Sequence, residues 1–365
     1  MKTLCIPDSQ LGIRRYADSR RWKNTVYDHA FDVFEAMVEL AILKDAELIV
    51  QPGDLLQSVS LDDEGWLRLL RSIERARRHG IKFVLLGGNH DSVKSYERVG
   101  TLDALAGLTG VHVINSFRPD VVDFGGFRVG GIPHMKSQDL FLAACNGWDE
   151  EVDILLLHCS LGVTERYGPN DMQLPFNMLD SLSSHAQVMF IGHEHQFREV
   201  EDGRIFQTGS TMPFSFSEVG QKYALYWTGV SHTPVEKLPI TPIIHFKEVE
   251  REWHNLDAFM SMLNTRVKWP NHILRFTVTD IPPKDFLVAR TMADAVAESS
   301  PLPMLFKLVK KGELALESIG IESATFDLLA EWDAYAAELK LSDVAAKQLR
   351  GYVEDALVLS LGEDD

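Results

Sequence analysis

Apolar and polar residues alternate between two periods over the first ninety positions of this chain. Residues 2–7 form a short apolar run that ends in Pro7-Asp8. Val26, Ala30, Val33, Phe34, Met37, Val38 and Ala41 then recur at helical intervals and predict a helix over 24–44. Glu47-Leu48-Ile49-Val50 reads as a second strand closing on Pro52-Gly53-Asp54, and Trp66, Leu69, Leu70 and Ile73 mark a second helix. A third strand, Lys82–Leu86, runs into Gly87-Gly88-Asn89-His90. Strand, helix, strand, helix, strand predicts parallel pairing with helices on the faces. Functional groups of such sheets collect beyond the carboxyl ends of the strands, and the polar signatures fall there.

Past Val111 the runs shorten and become β-rich: Val111–Ile114, Phe127–Gly130, Asp153–Leu157, Val188–Ile191, Ile205–Gln207 and Tyr223–Trp227. They predict the second half of a sandwiched sheet, closing a first domain over 1–232. The Pro-rich stretch Pro234–Pro242 reads as an exit linker. Residues 243–312 suggest a smaller α/β unit, with strands at Ile244–Val249, Ile273–Thr279 and Pro303–Val309 and helices at Leu256–Val267 and Lys284–Ala297. In the last segment, 322–365, two amphipathic helices are expected. Leu328, Trp332, Tyr335 and Leu339 line one; Leu349, Val353, Ala356 and Leu357 line the other, behind Ser342 as N-cap.

At 365 residues the chain calls for two or three folded units. It has no apolar run long enough for a membrane span, and its start turns polar too soon for a signal peptide. Cys5, Cys145 and Cys159 are scattered, without CxxC spacing, as expected for reduced thiols of a cytosolic protein. The net charge of −17 argues against a polyanionic partner until its distribution is considered. Residues 322–365 hold 11 acidic and 3 basic side chains, nearly half of the excess. Arg14, Arg15, Arg20, Arg21 and Lys23 cluster after the first signature, and Arg68, Arg71, Arg75, Arg77, Arg78 and Lys82 form a second group. Local field governs attraction of a polyanion, so each cluster is either a binding surface or a solvated helix face.

Asp8, Gln10, Asp54, Asn89, His158, His193 and His195 each follow an apolar run across nearly 190 residues. Only a fold that gathers strand ends could use so scattered a set together. Hard oxygen donors and neutral imidazoles are what a pair of divalent cations requires. Asp54 is the natural bridge; Asp8 and His195 would serve one ion, and Asn89, His158 and His193 the other. His90 directly follows a ligand, so its side chain diverges from Asn89 and is better placed to protonate a leaving oxygen or stabilise developing charge. His193 and His195, two apart on an extended chain, would face the same way.

The series Asp8, Gly53-Asp54, Gly88-Asn89-His90-Asp91, His158 and Gly192-His193-X-His195 resembles the calcineurin-like metallophosphoesterases. Leu11-Gly12 and the segment Gly209-Ser210-Thr211-Met212-Pro213-Phe214-Ser215-Phe216-Ser217-Glu218 are similar to the SbcD nucleases, the nuclease subunits of SbcCD-type double-strand-break repair complexes. The motifs cover residues 1 to about 230; beyond them only the layout matches. The resemblance implies a four-layer αββα sandwich with a small α/β capping domain and a C-terminal helical pair. It also implies two cations, manganese first and magnesium as the alternative, and cleavage of DNA phosphodiesters. It further implies a DNA path near Gln57, beside which the charge cluster Arg14, Arg15, Arg20 and Arg21 offers candidate contacts, and a homodimer; the helical pair carrying Leu328, Trp332, Tyr335, Leu339, Leu349 and Val353 either docks an SbcC-type ATPase, as in that family, or packs on its own domain. The family's Asp-X-His is here Asp8-Ser9-Gln10, a weaker donor set that suggests a phage or mobile-element version working in a host cytoplasm. Two other readings compete. One is a small-molecule phosphatase or phosphodiesterase on the same site; the other is a metal-impaired scaffold that binds DNA ends.

Overall fold

The computed structural model describes residues 1–16, 25–92, 100–162, 171–201 and 203–311. Met1–Gly312 form one unit and Glu313–Asp365 a second, which lies outside the described residues. So do Arg20, Arg21, Lys23 and the expected helices carrying Leu328, Trp332, Tyr335, Leu339, Leu349 and Val353.

The chain begins as β1 (Thr3–Cys5), α1 (Thr25–Leu43), β2 (Leu48–Gln51), α2 (Asp63–Arg78), β3 (Lys82–Leu86), α3 (Thr101–Leu105) and β4 (Val111–Ile114). The second stretch is β5 (Asp120–Asp123), β6 (Arg128–Ile132), α4 (Gln138–Asn146), β7 (Val152–His158), β8 (Ser160–Leu161), β9 (Gln173–Leu174) and α5 (Phe176–Ser183). It continues through β10 (Ala186–Gly192), β11 (Arg198–Glu201), β12 (Ile205–Gln207), β13 (Lys222–Trp227) and β14 (Glu236–Ile240). A smaller group follows: β15 (His245–Glu252), α6 (Leu256–Asn264), β16 (His272–Ile281), α7 (Pro283–Ser299) and β17 (Met304–Lys310).

Two six-stranded sheets result, ordered β14-β13-β1-β2-β3-β4 and β11-β12-β10-β7-β6-β5. The strands β1 to β4 pair in parallel, as the helical crossovers require, and β13 and β14 extend the sheet antiparallel. The second sheet is parallel through β12, β10, β7 and β6, with antiparallel edges. Its inner face packs Ile154, Leu156, Phe190 and Phe206 against Cys5, Val50, Val84 and Leu86 of the first sheet. The outer face of the first sheet is covered by α1, α2 and α3, and that of the second by α4 and α5. The layers are therefore helix, sheet, sheet, helix. A third, parallel sheet, β15-β16-β17, packs on α6 and α7 around Phe259, Phe276 and Ile281.

Three expectations need correction. Glu236–Ile240, inside the expected linker, is an edge strand on β13; Pro239 is tolerated because an edge needs no further donor. Residues Gln138–Asn146 and Phe176–Ser183, within the stretch read as β-rich, are helices. The helix expected to reach Val267 ends at Asn264 and tightens into a 3-10 turn over Thr265–Lys268.

The second basic cluster is an ion-pair seam. Arg68 of α2 meets Asp28 at 3.6 Å, Asp32 at 2.6 Å and Glu35 at 2.8 Å on α1 and lies over the Phe31 ring. Arg75 pairs with Glu39 of α1, whereas Arg77 and Arg78 share Glu74 of their own helix. Such partly exposed pairs contribute about 0–1 kcal/mol each, against about 2 kcal/mol for each buried Leu or Phe. Apolar burial holds the layers, and the arginines fix how α2 lies on α1.

Candidate metal centre

The loops after β1, β2, β3, β7 and β10 meet at one rim of the two sheets. Asp8 donates its N–H to Gly209 O at 3.3 Å and accepts from Thr211 N at 2.9 Å. The backbone N–H groups of Ser9 and Gln10 both donate to Asp54 O at 3.1 Å. These bonds, with His193 N donating to Asp8 Oδ2 at 2.8 Å, hold Gln10, Asp54 and His193 at φ of 48°, 54° and 95°, in the left-handed region. That conformation costs roughly 1 kcal/mol or more for each non-glycine residue and persists where the surroundings over-determine it. Two glycines let the loops close. A Cβ on Gly53 would sit 2.1 Å from His158 Nδ1, and one on Gly192 would sit 2.4 Å from Pro52 O and 2.7 Å from Asp8 Oδ1.

Inside this cradle donor atoms of Asp8, Asp54 and His158 lie within 4.8 Å of one another, and all three residues are buried. Asp54 Oδ1 is 3.4 Å from His158 Nε2. Asn89 Oδ1 lies 2.9 Å from His158 Nε2 and 3.1 Å from His193 Nδ1. Gln10 Nε2 donates to Asp54 Oδ2 at 2.8 Å. His158 directs Nδ1 at Pro52 O, 2.9 Å away, which sets its tautomer and turns Nε2 inward. His193 Nε2 lies 3.6 Å from Asp171, and His195 Nδ1 lies 3.0 Å from Glu218 Oε1. His90 stands at the mouth, its Nδ1 facing Gln57 O at 3.0 Å and its Nε2 3.9 Å from Asp54 Oδ2.

The electrostatics are those of a cation site. Burial pushes the Asp8 carboxyl up to about 7; His158 opposes that rise and Asp54 adds to it. Burial acts on Asp54 in the same sense, but attraction to His158 and its hydrogen bond outweigh it and hold Asp54 well below the usual carboxylate range. Burial disfavours the His158 cation, yet Asp54 lifts its pKa to about 9. For His193, burial and the neighbouring His158 lower it to about 3, leaving a neutral imidazole. Asp8 Oδ1 and Gln10 Oε1 are buried without a hydrogen-bond partner among the described residues. Orphaned oxygens beside convergent imidazoles fit a divalent cation, which would satisfy them.

Asp54, Asn89, His90, His193 and His195 line a cleft of about 480 Å³ together with Arg15 and Asp171. A larger cavity, about 610 Å³, lies between β15 and α6 against Trp253 and Trp269. It contains none of the convergent donors, so the chemistry belongs to the smaller cleft.

Arg14 and Arg15 part company. Arg14 pairs with Asp62, the N-cap of α2, and lies 4.3 Å over the Tyr27 ring. Arg15 reaches the cleft and donates to Phe214 O at 3.1 Å. Gln57, expected on a DNA path, has its amide nitrogen 3.3 Å from His90 Nδ1 and its carbonyl on the same ring nitrogen. Sequence reasoning gave no role to Asp171, Glu218 or Lys222. Glu218 lies inside the Gly209–Glu218 segment, which was the available signal for it; Lys222 opens β13 and carried none. Asp171 follows Gly168-Pro169-Asn170 and reads as an ordinary turn residue.

Comparison with known proteins agrees with this geometry. The calcineurin-like phosphoesterase family model matches residues 1–197. The DNA double-strand break repair protein Mre11 of Saccharolobus solfataricus is 26% identical over 162 residues, 43% of this chain and 41% of that protein. Mre11 of Sulfolobus acidocaldarius is 28% identical over 137 residues, 38% of this chain and 34% of that protein. The uncharacterized metallophosphoesterase YhaO of Bacillus subtilis is 24% identical over 207 residues, 54% and 49% of the two chains. The chain thus spans a third to a half of the length of these relatives. With the family's pattern extending over more than half of its residues and its polar donors gathered at one rim, the chain belongs to the calcineurin-like phosphoesterase family.

Proposed function

We propose that the chain is a metal-dependent DNA nuclease that hydrolyses phosphodiester bonds and works with an SbcC-type ATPase, as a homodimer. The convergence of Asp8, Asp54, Asn89, His158 and His193 carries the reading. The relatives named for double-strand break repair direct it to DNA. Asp8, Gln10, Asp54 and His195 would hold one divalent ion, manganese first, and Asp54, Asn89, His158 and His193 the other. Two such ions supply Lewis acidity at the phosphate and lower the pKa of a bound water. The protein contributes the rest. Asp54 ties the two ligand sets together, the carbonyl of Pro52 keeps His158 Nε2 turned inward, and Gln57 holds His90 at the cleft mouth. From there His90 Nε2 can give a proton to the departing oxygen.

Linear duplex DNA, circular single-stranded DNA and bis-p-nitrophenyl phosphate, assayed side by side with manganese, test the proposal. Cleavage of DNA that stops with chelator supports it. Turnover of the small ester alone assigns a phosphodiesterase, and DNA binding without cleavage at any manganese concentration assigns the scaffold.

Gln10 bears on that last outcome. Its amide nitrogen occupies Asp54 Oδ2, and its own oxygen has no partner among the described residues; a rotated amide presents that oxygen to a cation. Gln10→His exchanges a weak donor for imidazole and is expected to lower the manganese concentration for half-maximal turnover by about tenfold. An unchanged requirement removes Gln10 from the ligand set. The two neighbouring arginines give a second expectation. Arg15→Ala weakens DNA binding by roughly one phosphate contact and makes it less salt-dependent, whereas Arg14→Ala, already neutralised by Asp62, leaves DNA binding unchanged. Equal effects in a fluorescence titration against salt would show that Arg15 does not face the substrate.

A further inference from the structure

His158 and His195 each have a hydrogen-bond partner on Nδ1, and that of His195 is the better built. Its Nδ1 lies 3.0 Å from Glu218 Oε1. The other oxygen of Glu218 accepts from Lys222 Nζ at 3.2 Å and Ser210 Oγ at 3.3 Å, and Ser215 Oγ reaches Oε1 at 3.3 Å. Lys222 is only 3% exposed and donates as well to Ser210 Oγ at 2.8 Å and to His195 O at 2.7 Å. The circuit closes on itself: imidazole to carboxylate, carboxylate to ammonium, ammonium back to the carbonyl of the same histidine. Phe214 seals one side, edge-on to the His195 ring at 5.4 Å. Through Ser210, which bridges to Asp8, the circuit is tied to the strand-end loop that carries the first carboxylate. A buried ion pair adds little to stability over apolar packing of equal volume. One that grips a single imidazole from both its ring and its backbone is explained by orientation.

We propose that Glu218, braced by Lys222, is a positioning residue for His195. It accepts the Nδ1 hydrogen, so that Nε2 keeps its lone pair and is the nitrogen offered to a divalent cation beside Asp8. This rests on reading the cluster as a two-cation site. Without the carboxylate the ring is free to take the other tautomer and to turn. Partners of this kind are worth about 10–100-fold in metal affinity.

The test is manganese binding to the full chain by titration calorimetry, with a thermal melt of every variant. The wild type is expected to take two ions. Glu218→Gln, which keeps the shape and removes the charge, weakens one of them by about 10–100-fold and leaves the other unchanged. The manganese requirement for DNA cleavage shifts by the same factor. Combining it with His195→Ala adds nothing to the loss from His195→Ala alone, because the carboxylate acts through that ring. Should the glutamine variant fail to fold, Glu218→Asp takes its place; it keeps the charge, shortens the reach and falls between wild type and His195→Ala. Wild-type affinity for both ions in the Glu218 variant, or losses that multiply in the double variant, overturn the inference while leaving the two-cation site intact. A wild type that binds no manganese overturns both together.

Discussion

Asp54→Asn lowers phosphodiester hydrolysis by about 10³-fold or more, a loss of several kcal/mol of transition-state stabilisation, and leaves a folded chain. Asp54 touches both halves of the cluster with its carboxylate. One oxygen accepts from His90 N at 3.0 Å and faces His158, and the other accepts from Gln10. Asparagine fills the same volume, but one of its two terminal atoms becomes a donor, which cannot accept from these groups or ligate a cation. Steady-state cleavage at saturating manganese measures the loss. Retention of turnover within tenfold of wild type would place the chemistry elsewhere in the molecule.

The same variant has a pH signature in chelator. The folded pKa of His158 is raised to about 9, chiefly by Asp54 against the cost of burial. A raised histidine contributes stability that is fully present below its ordinary pKa of about 6.5 and is lost as pH rises through the folded value. Asp54→Asn removes that contribution. The melting temperature of the variant therefore falls below wild type near pH 6, and the gap narrows as pH passes about 9. The asparagine also spares Asp8 a like charge, which works in the variant's favour throughout the range where Asp8 is ionised. A gap that widens with pH would mean that His158 and Asp54 are not paired in solution.

Much of this arrangement is legible in the sequence. Asp8, Asp54, Asn89, His158 and His193 each end an apolar run, and period-2 runs separated by period-3.6 stretches force parallel strands whose ends share one rim. Two short helices escaped because little of them is buried. Only Phe141 and Cys145 of α4, and Leu179 and Leu182 of α5, are enclosed, too few positions to reveal a period. The strand Glu236–Ile240 escaped because an edge strand that is polar and contains Pro239 resembles a linker. Charge was the least legible quantity. Lys222 and Asp171 are enclosed and Glu218 is largely so, whereas Arg75 and Arg78 are open to solvent, yet all are charged letters in a sequence. Which charges are buried depends on contacts between residues far apart in number, such as Lys222 with the carbonyl of His195. Neighbours such as Arg14 and Arg15 diverge simply because adjacent side chains point apart.

His90→Gln lowers turnover of DNA by about 10²–10⁴-fold with little change in manganese affinity. The geometry separates this residue from the ligands. Its Nδ1 is held 3.0 Å from Gln57 O, a contact that requires a hydrogen on that nitrogen. Nε2 is therefore the nitrogen presented to the cleft, and a second proton there makes it a donor toward a departing oxygen. The ring is partly open to solvent, with 39% of its side chain exposed, so proton exchange with water is not obstructed. Leaving-group chemistry decides between acid catalysis and simple charge stabilisation. An alkoxide leaving from DNA needs a proton, whereas p-nitrophenolate leaves readily as the anion. A general acid thus makes the variant's loss large on DNA and small on bis-p-nitrophenyl phosphate. Equal losses on both esters would assign His90 to stabilising charge on the phosphate instead. A matching loss of manganese affinity would make it a ligand. Gln57→Ala supplies the internal control: it removes the amide beside Nδ1 but keeps the backbone carbonyl that fixes the ring, so its cost on DNA is expected to be under about tenfold.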